Sequence, residues 1–352
     1  MIPLTVVVAT YNRRAILEVT LEKLAGQTYP ADQYEVVVVD DGSPDDTGEM
    51  VRAFSKRAPY RLGFLYHTNR GPGATENRGI LEAKGKLILL LADDIQATPT
   101  LLAEHAGFHE RHPQENFACL GSVLQSPGLP ATTFLRKWDP FKYYELDGQR
   151  ELPYWRFWAC NISVQRSFFL ENGMFREHKG AAHEDVELGW RLSKKGLRIF
   201  YHPQALAYHY HIETLPSAIR RAYERGLNWY FVEENVPDPQ IHVKYHILNW
   251  HTLKYHYQTF RSLSQTQLPA EDRNLSWLLL RQGIRWVVFN RVTIPLWRLY
   301  LDAADKNRQL AALTHPYFYR GTVFYHFIKG CRDYDSSARR KSQLASDHVR
   351  ES

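Results

Sequence analysis

The run Leu87-Ile88-Leu89-Leu90-Leu91-Ala92 contains no polar residue and ends on two adjacent acids, Asp93 and Asp94. An apolar run without alternation predicts a strand buried on both faces, as in parallel sheets covered by helices. The preceding chain repeats the theme. Leu4 to Ala9 is apolar and rich in β-branched residues, Ile16, Leu17, Leu21 and Leu24 can share one helical face, and Tyr34 to Val39 is a second strand closed by Asp40-Asp41-Gly42-Ser43-Pro44. A helix near Thr47 to Arg57, a short strand at Phe64 to His67 and a helix at Ala74 to Ala83 continue the alternation. Such alternation predicts an α/β fold with a doubly wound, mostly parallel sheet.

Ligands of these sheets sit beyond the carboxyl ends of the strands, where Thr10-Tyr11-Asn12, Asp40-Asp41 and Asp93-Asp94 all fall. A carboxylate at the end of a buried strand is costly unless it meets a cation, so Asp93-Asp94 points to a metal pocket. The downstream pair Glu184-Asp185 points to a separate base. Residues 126–153 are rich in Pro, Gly, Trp and Tyr and carry little period, which suits a long loop over the site. After Thr214 the pattern turns helical, with a boundary marked by Pro237-Asp238-Pro239 and a polar tail from about residue 335.

At 352 residues and 44% hydrophobic content the chain can build one large domain or two ordinary ones. Cys119, Cys160 and Cys331 are scattered and odd in number, which predicts buried free thiols in a reducing compartment. No basic segment and apolar run of signal-peptide type precede the first strand, and Leu275 to Leu301 is broken by Arg281, Arg285, Arg291 and Arg298, so neither secretion nor a bilayer span is expected. The net charge of +6 is uneven: residues 1–239 carry 27 Lys+Arg against 30 Asp+Glu, and residues 240–352 carry 17 against 8. A basic, aromatic C-terminal third suits contact with anionic lipid, a diphosphate acceptor or nucleic acid, and equally suits a solvated helical face over aromatic core positions.

Val7-Val8-Ala9-Thr10-Tyr11-Asn12-Arg13, Val38-Val39-Asp40-Asp41-Gly42-Ser43 and Asn69-Arg70-Gly71-Pro72-Gly73-Ala74 with Asn77-Arg78-Gly79 together resemble family 2 glycosyltransferases in order and spacing. The resemblance covers roughly residues 1–215. It implies a glycosyltransferase A-type fold, a nucleoside diphosphate sugar donor, a divalent metal (Mn2+ or Mg2+) and inversion at the anomeric carbon. It divides the chain into a nucleotide-sugar half (1–125), an acceptor half similar to that of galactosyltransferases (126–215) and a helical region (216–352).

Carried over by position, the resemblance places Thr10, Tyr11 and Arg13 at the base and ribose. It has Asp40 accept from the base imide N–H, a role open to an acceptor-only carboxylate facing uracil, thymine or guanine but not cytosine. Gly73 would allow close backbone approach, and Arg78 offers a cationic fork to the diphosphate or to an acid of the site. The family's metal motif is usually acid, any residue, acid; here it reads Ala92-Asp93-Asp94, so one carboxylate is absent, leaving Asp94 as the metal ligand and Asp93 for the ribose. In Tyr208-His209-Tyr210-His211 the two histidines share a strand face, and the resemblance favours His209 as the second ligand. Cys160-Asn161-Ile162 and His183-Glu184-Asp185 resemble the acceptor half, implying Asp185 as base, Glu184 as its partner in orienting the acceptor, and Trp158 and Asn161 as acceptor contacts; for Trp158 core filling competes equally.

His105, His109 and His112 have helical spacing that could hold zinc, but no cysteine accompanies them, and packed or surface roles are expected. The partners expected are a nucleoside diphosphate sugar and a glycan or lipid-linked acceptor, in the cytoplasm or at the inner face of the membrane. Three other readings compete. A nucleotide-sugar binding module could have lost its chemistry along with the acid missing at Ala92. A nucleotidyltransferase would need glycines after the first strand that Thr10-Tyr11-Asn12-Arg13-Arg14 lacks, and a nucleic-acid binder would need a motif that is absent.

Overall fold

The computed structural model describes residues 3–350 apart from 131, 140–142, 147, 149–150, 179, 181 and 246–274. It contains two compact units, residues 1–130 with 139–212, and residues 131–138 with 213–352.

The first unit is built on a nine-stranded sheet whose strands stand in the order Arg61–Tyr66, Tyr34–Asp40, Leu4–Thr10, Leu87–Leu91, Asn161–Gln165, Phe117–Gln125, Arg198–His209 and Ile95–Ala97, with Glu151–Leu152 also paired to Arg198–His209. Its first half is parallel: β1 (Leu4–Thr10) lies between β2 (Tyr34–Asp40) and β4 (Leu87–Leu91), and β3 (Arg61–Tyr66) flanks β2. Every residue of β2 and β4 is buried, which is why these runs show no alternation. Helices α1 (Arg14–Ala25), α2 (Thr47–Ser55) and α3 (Pro72–Glu82) make the crossovers. Gly79 sets how closely α3 approaches β1, since a Cβ there would stand 2.3 Å from Val7 Cγ1.

The second half departs from parallel order. After β5 (Ile95–Ala97), α4 (Leu101–Arg111) and β6 (Phe117–Gln125), strand β8 (Asn161–Gln165) runs antiparallel to both β4 and β6. The helix α5 (Thr133–Lys137) lies in the second unit. After β7 (Glu151–Leu152), α6 (Arg166–Asn172) and α7 (Glu184–Ser193), the long β9 (Arg198–His209) pairs parallel with β6 and antiparallel with β5. The sheet is therefore mixed, with its parallel part carrying the first three strand-end clusters.

Residues 126–153 are not the bare loop expected. Phe134, Leu135, Tyr143, Leu146 and Leu152 are buried, and the segment carries α5, a 3-10 turn at Tyr143–Leu146 and β7. These five side chains are core material.

In the second unit Phe134 of α5 packs edge-on against Tyr319, and Lys137 caps the Thr314 carbonyl. Helix Leu215–Leu227 starts on a Thr214 cap and crosses helix Pro316–Arg350 closely. Gly226 and Gly330 allow that crossing, since a Cβ on either would stand about 2 Å from the other helix's backbone. No helix among the described residues is long and apolar enough to cross a membrane.

Candidate active site

The pairing of β5 with β9 sets Ile95 opposite His209, and Tyr210 N–H donates to the Asp94 carbonyl at 2.9 Å. Backbone pairing thus carries a distant strand end back onto the Asp93-Asp94 turn. Asp94 Oδ2 lies 3.3 Å from His209 Nε2 and 3.4 Å from His211 Nδ1, and the two imidazoles stack with ring centroids 5.3 Å apart. The two-residue spacing puts both histidines on one face, and both come to the acid. Among the described residues these three are the cluster able to hold a metal, their ligand atoms all within 4.8 Å of one another. One carboxylate oxygen and two imidazoles suit a divalent transition-metal ion better than Mg2+, which prefers an all-oxygen shell.

Arg13 holds the pair of acids together: Nη1 donates to Asp93 Oδ1 at 2.9 Å and to Asp94 Oδ2 at 2.8 Å. The other oxygen of Asp93 accepts from the Thr10 hydroxyl at 2.8 Å, and Thr20 donates to the Asp93 carbonyl at 2.7 Å. Burial raises the Asp93 carboxyl above the ordinary carboxylate range against the opposing pull of Arg13. Burial acts the same way on Asp94, but the hydrogen bonds to His209 and His211 and the Arg13 charge outweigh it and hold Asp94 well below the ordinary range. The two adjacent carboxyls are thus pushed in opposite directions, Asp93 up and Asp94 down.

Asp40 closes its own turn, accepting Ser43 N–H at 2.8 Å through Oδ1, and it lies in register beside Thr10. Ser43 in turn receives the N–H of Asn12, which has φ 54, so the two loops are fastened together beneath the exposed Tyr11 ring. The neighbouring Asp41 has a role that the sequence did not reveal. It accepts the N–H groups of Arg70 and Gly71 at 2.8 and 3.1 Å and so anchors the glycine-rich loop. The doublet of acids was visible; the use of its second member requires the fold.

Three of the expected contact residues have neighbours inside the fold. Asn161 is fully buried and donates to the Ser122 and Ala205 carbonyls while its Oδ1 meets His105, so it braces the sheet instead of facing an acceptor. Gly73 is buried, and a Cβ there would stand 3.1 Å from both Phe175 Cβ and the Arg176 carbonyl, so glycine allows the close approach of that chain segment. Arg78 donates to the Tyr66 carbonyl at 2.9 Å, and among the described residues no ion pair joins it to an acid of the site. Trp158 is half-buried, with Tyr143 edge-on at 5.0 Å and the Arg156 guanidinium over its ring at 4.8 Å. His105 and His109 are packed as expected, both bonded to Ser163.

Glu184 and Asp185 open α7 after two strained residues, Ala182 with φ 143 and His183 with φ 74. Glu184 accepts Ala182 N–H at 2.9 Å, and Asp185 Oδ1 accepts Val186 N–H at 2.8 Å. Burial pushes the Cys160 thiol up to about 12, and the charges of Asp185 and Asp94 both push in the same direction. Asp185 and Asp94 are therefore within electrostatic reach of one side chain, and Cys160 accepts the N–H of Ala92 beside the acid pair. A third carboxyl joins them. Burial, together with the charges of Glu184 and Asp185, raises Glu76 of α3 well above the carboxylate range, and its buried Oε2 has no hydrogen-bond partner. Glu76 was hidden in the sequence inside a helix opening read for its glycines.

Residues 5–171 match the family model described as Glycosyl transferase family 2, and this stretch is a family 2 glycosyltransferase domain. Validoxylamine A glucosyltransferase of Streptomyces hygroscopicus subsp. jinggangensis is 31% identical over 220 residues, 55% of this chain and 52% of that protein. Poly(ribitol-phosphate) beta-N-acetylglucosaminyltransferase TarS of Staphylococcus aureus is 28% identical over 134 residues, 38% of this chain and 23% of that protein. The chain thus spans about half the length of the first of these relatives and less of the second. The structure of mannosyltransferase PcManGT from Pyrobaculum calidifontis, in complex with GDP-Man and Mn2+, shares the fold with a TM-score of 0.58 at 19% identity, covering 94% of this chain and 86% of that one.

Proposed function

We propose that the protein is a metal-dependent inverting glycosyltransferase that moves a sugar from a nucleoside diphosphate to a hydroxyl of a glycan or lipid-linked acceptor. The observation that carries this reading is the meeting of Asp94, His209 and His211 at the carboxyl end of the parallel strands, where such folds bind ligands. A divalent ion held by these three residues would supply positive charge to the diphosphate as it leaves. Tyr11, Arg13 and Asp40 stand on the two loops that would receive the base and ribose. Asp93 would reach the ribose once Arg13 or Thr10 releases it.

On the acceptor side Asp185 takes the hydroxyl proton as the oxygen attacks the anomeric carbon and the bond to the diphosphate oxygen breaks. Glu184 orients the acceptor beside it. The α7 N-terminus stabilises both charges, and the raised Glu76 keeps a third negative charge out of the same space.

The test is release of nucleoside diphosphate from a panel of uridine, guanosine and thymidine diphosphate sugars with Mn2+, with and without saccharide acceptors. Slow release without acceptor and fast release with one match the proposal. The competing reading, a binding module without chemistry, takes its support from Ala92 at the first motif position. It requires donor-induced stabilisation with no release under any condition.

A further inference from the structure

Residues 289–293 join helix Leu275–Val288 to helix Ile294–Lys306, and the inner side of that corner is firmly held. Asn290 Oδ1 accepts Val292 and Thr293 N–H at 2.9 and 3.1 Å, Trp297 Nε1 donates to the Val288 carbonyl at 2.7 Å, and Phe289 is buried against Trp297 and Tyr317. The outer side is different. Trp286, Val287, Val292, Leu296 and Leu299 are between 64% and 73% exposed, although they sit within one corner and its two flanking turns. Single exposed apolar side chains are ordinary, whereas a cluster around one fixed corner marks an interaction surface.

The charges around this corner have one dominant sign. Arg291, Arg298, Lys306 and Arg308 are exposed, and none forms an ion pair among the described residues. The acids nearby are Asp302 and Asp305, and Asp305 already accepts from the Tyr319 hydroxyl at 2.6 Å. A surface that joins an exposed indole and branched aliphatics to unpaired arginines calls for a partner that is negative at its face and apolar just beneath.

We propose that this corner docks the protein peripherally on an anionic lipid bilayer, with the aliphatic side chains entering the headgroup boundary and the basic side chains meeting lipid phosphates. A second copy of the chain would set arginine against arginine. A nucleic acid would pair with the basic groups but give Val287, Val292 and Leu296 nothing to bury against. The inference is independent of the glycosyl-transfer reading.

The full chain is sedimented with vesicles of phosphatidylcholine alone or with about 30% phosphatidylglycerol, at low salt and at about 0.5 M salt. The expected result is binding to the anionic vesicles at least tenfold above the neutral ones, weakened by salt. The pair Val292→Glu with Leu296→Glu, and separately Arg291→Glu with Arg298→Glu, should each lower the bound fraction at least tenfold. The milder pair Val292→Ser with Leu296→Ser guards against misfolding, and an unchanged thermal melt confirms it. Equal binding to both vesicle types, no binding to either, or full binding by the folded variants overturns the proposal. So does a concentration-dependent dimer in light scattering that the Glu pair abolishes while vesicles capture nothing.

Discussion

Arg13 donates through Nη1 to Asp94 Oδ2 at 2.8 Å, and that same oxygen faces both His209 and His211. The guanidinium therefore occupies the acid that a metal would need, and it reaches Asp93 with the same nitrogen. A divalent ion entering the site must compete with a resident cation. Arg13→Met should raise Mn2+ affinity in the absence of donor by about tenfold, roughly 1.4 kcal/mol, as read by calorimetry. Unchanged or weaker binding in that variant would mean that Arg13 and the ion do not share Asp94.

Asp185 is expected to act in the chemical step and not in donor binding. Asp185→Asn should lower turnover by about 10²-fold or more while the nucleoside diphosphate affinity stays within about threefold. Steady-state transfer and calorimetric titration on the same preparation separate the two effects. Turnover close to wild type would move the base elsewhere.

Glu76 offers a stability test of the acid cluster. Its folded-state proton affinity is raised by burial and by Glu184 and Asp185, so its contribution is favourable at low pH and is lost as pH rises from the unfolded carboxylate range toward the folded value. Glu76→Gln copies the protonated form and carries no such penalty. The variant should melt higher than wild type at pH 8, with the gap closing at pH 4. A variant less stable at pH 8 would show that the carboxylate is the form the fold prefers.

The opposite sign applies behind the sheet. Burial lowers His105 to about 3 and His109 to about 4, so both stay neutral in the folded protein while the unfolded chain takes up protons below about 6.5. Stability should therefore fall as pH drops from about 6.5 toward 4, with a slope of about 1.4 kcal/mol per pH unit for each imidazole. Urea unfolding at pH 7 and pH 5 measures it, and His109→Asn should remove its share of the slope. A slope unchanged by that substitution would assign the acid sensitivity to other groups.

The parallel half of the sheet was legible because its signals are local. Short unbroken runs such as Leu87 to Leu91 between turn signals suit doubly covered strands, and the acids that end them then lie at the sheet's carboxyl edge. The second half was less legible because the reversal of β8 depends on long-range pairing with β4 and β6, which no local period encodes. The same limit applied to individual residues. Asn161 looked polar enough for an acceptor site, yet its environment is His105 and two carbonyls inside the sheet. Alternation in Tyr208 to His211 gave the face shared by the two histidines, but only the Ile95–His209 pairing shows that both reach Asp94.

The most direct test of the central claim is Mn2+ electron paramagnetic resonance with nucleoside diphosphate present, comparing wild type with Asp94→Ala and with the His209→Ala, His211→Ala pair. The account expects the free-ion signal to disappear on titration with wild type and to persist with both variants. Equal quenching by all three proteins, or none by wild type, would contradict a metal site built from Asp94, His209 and His211.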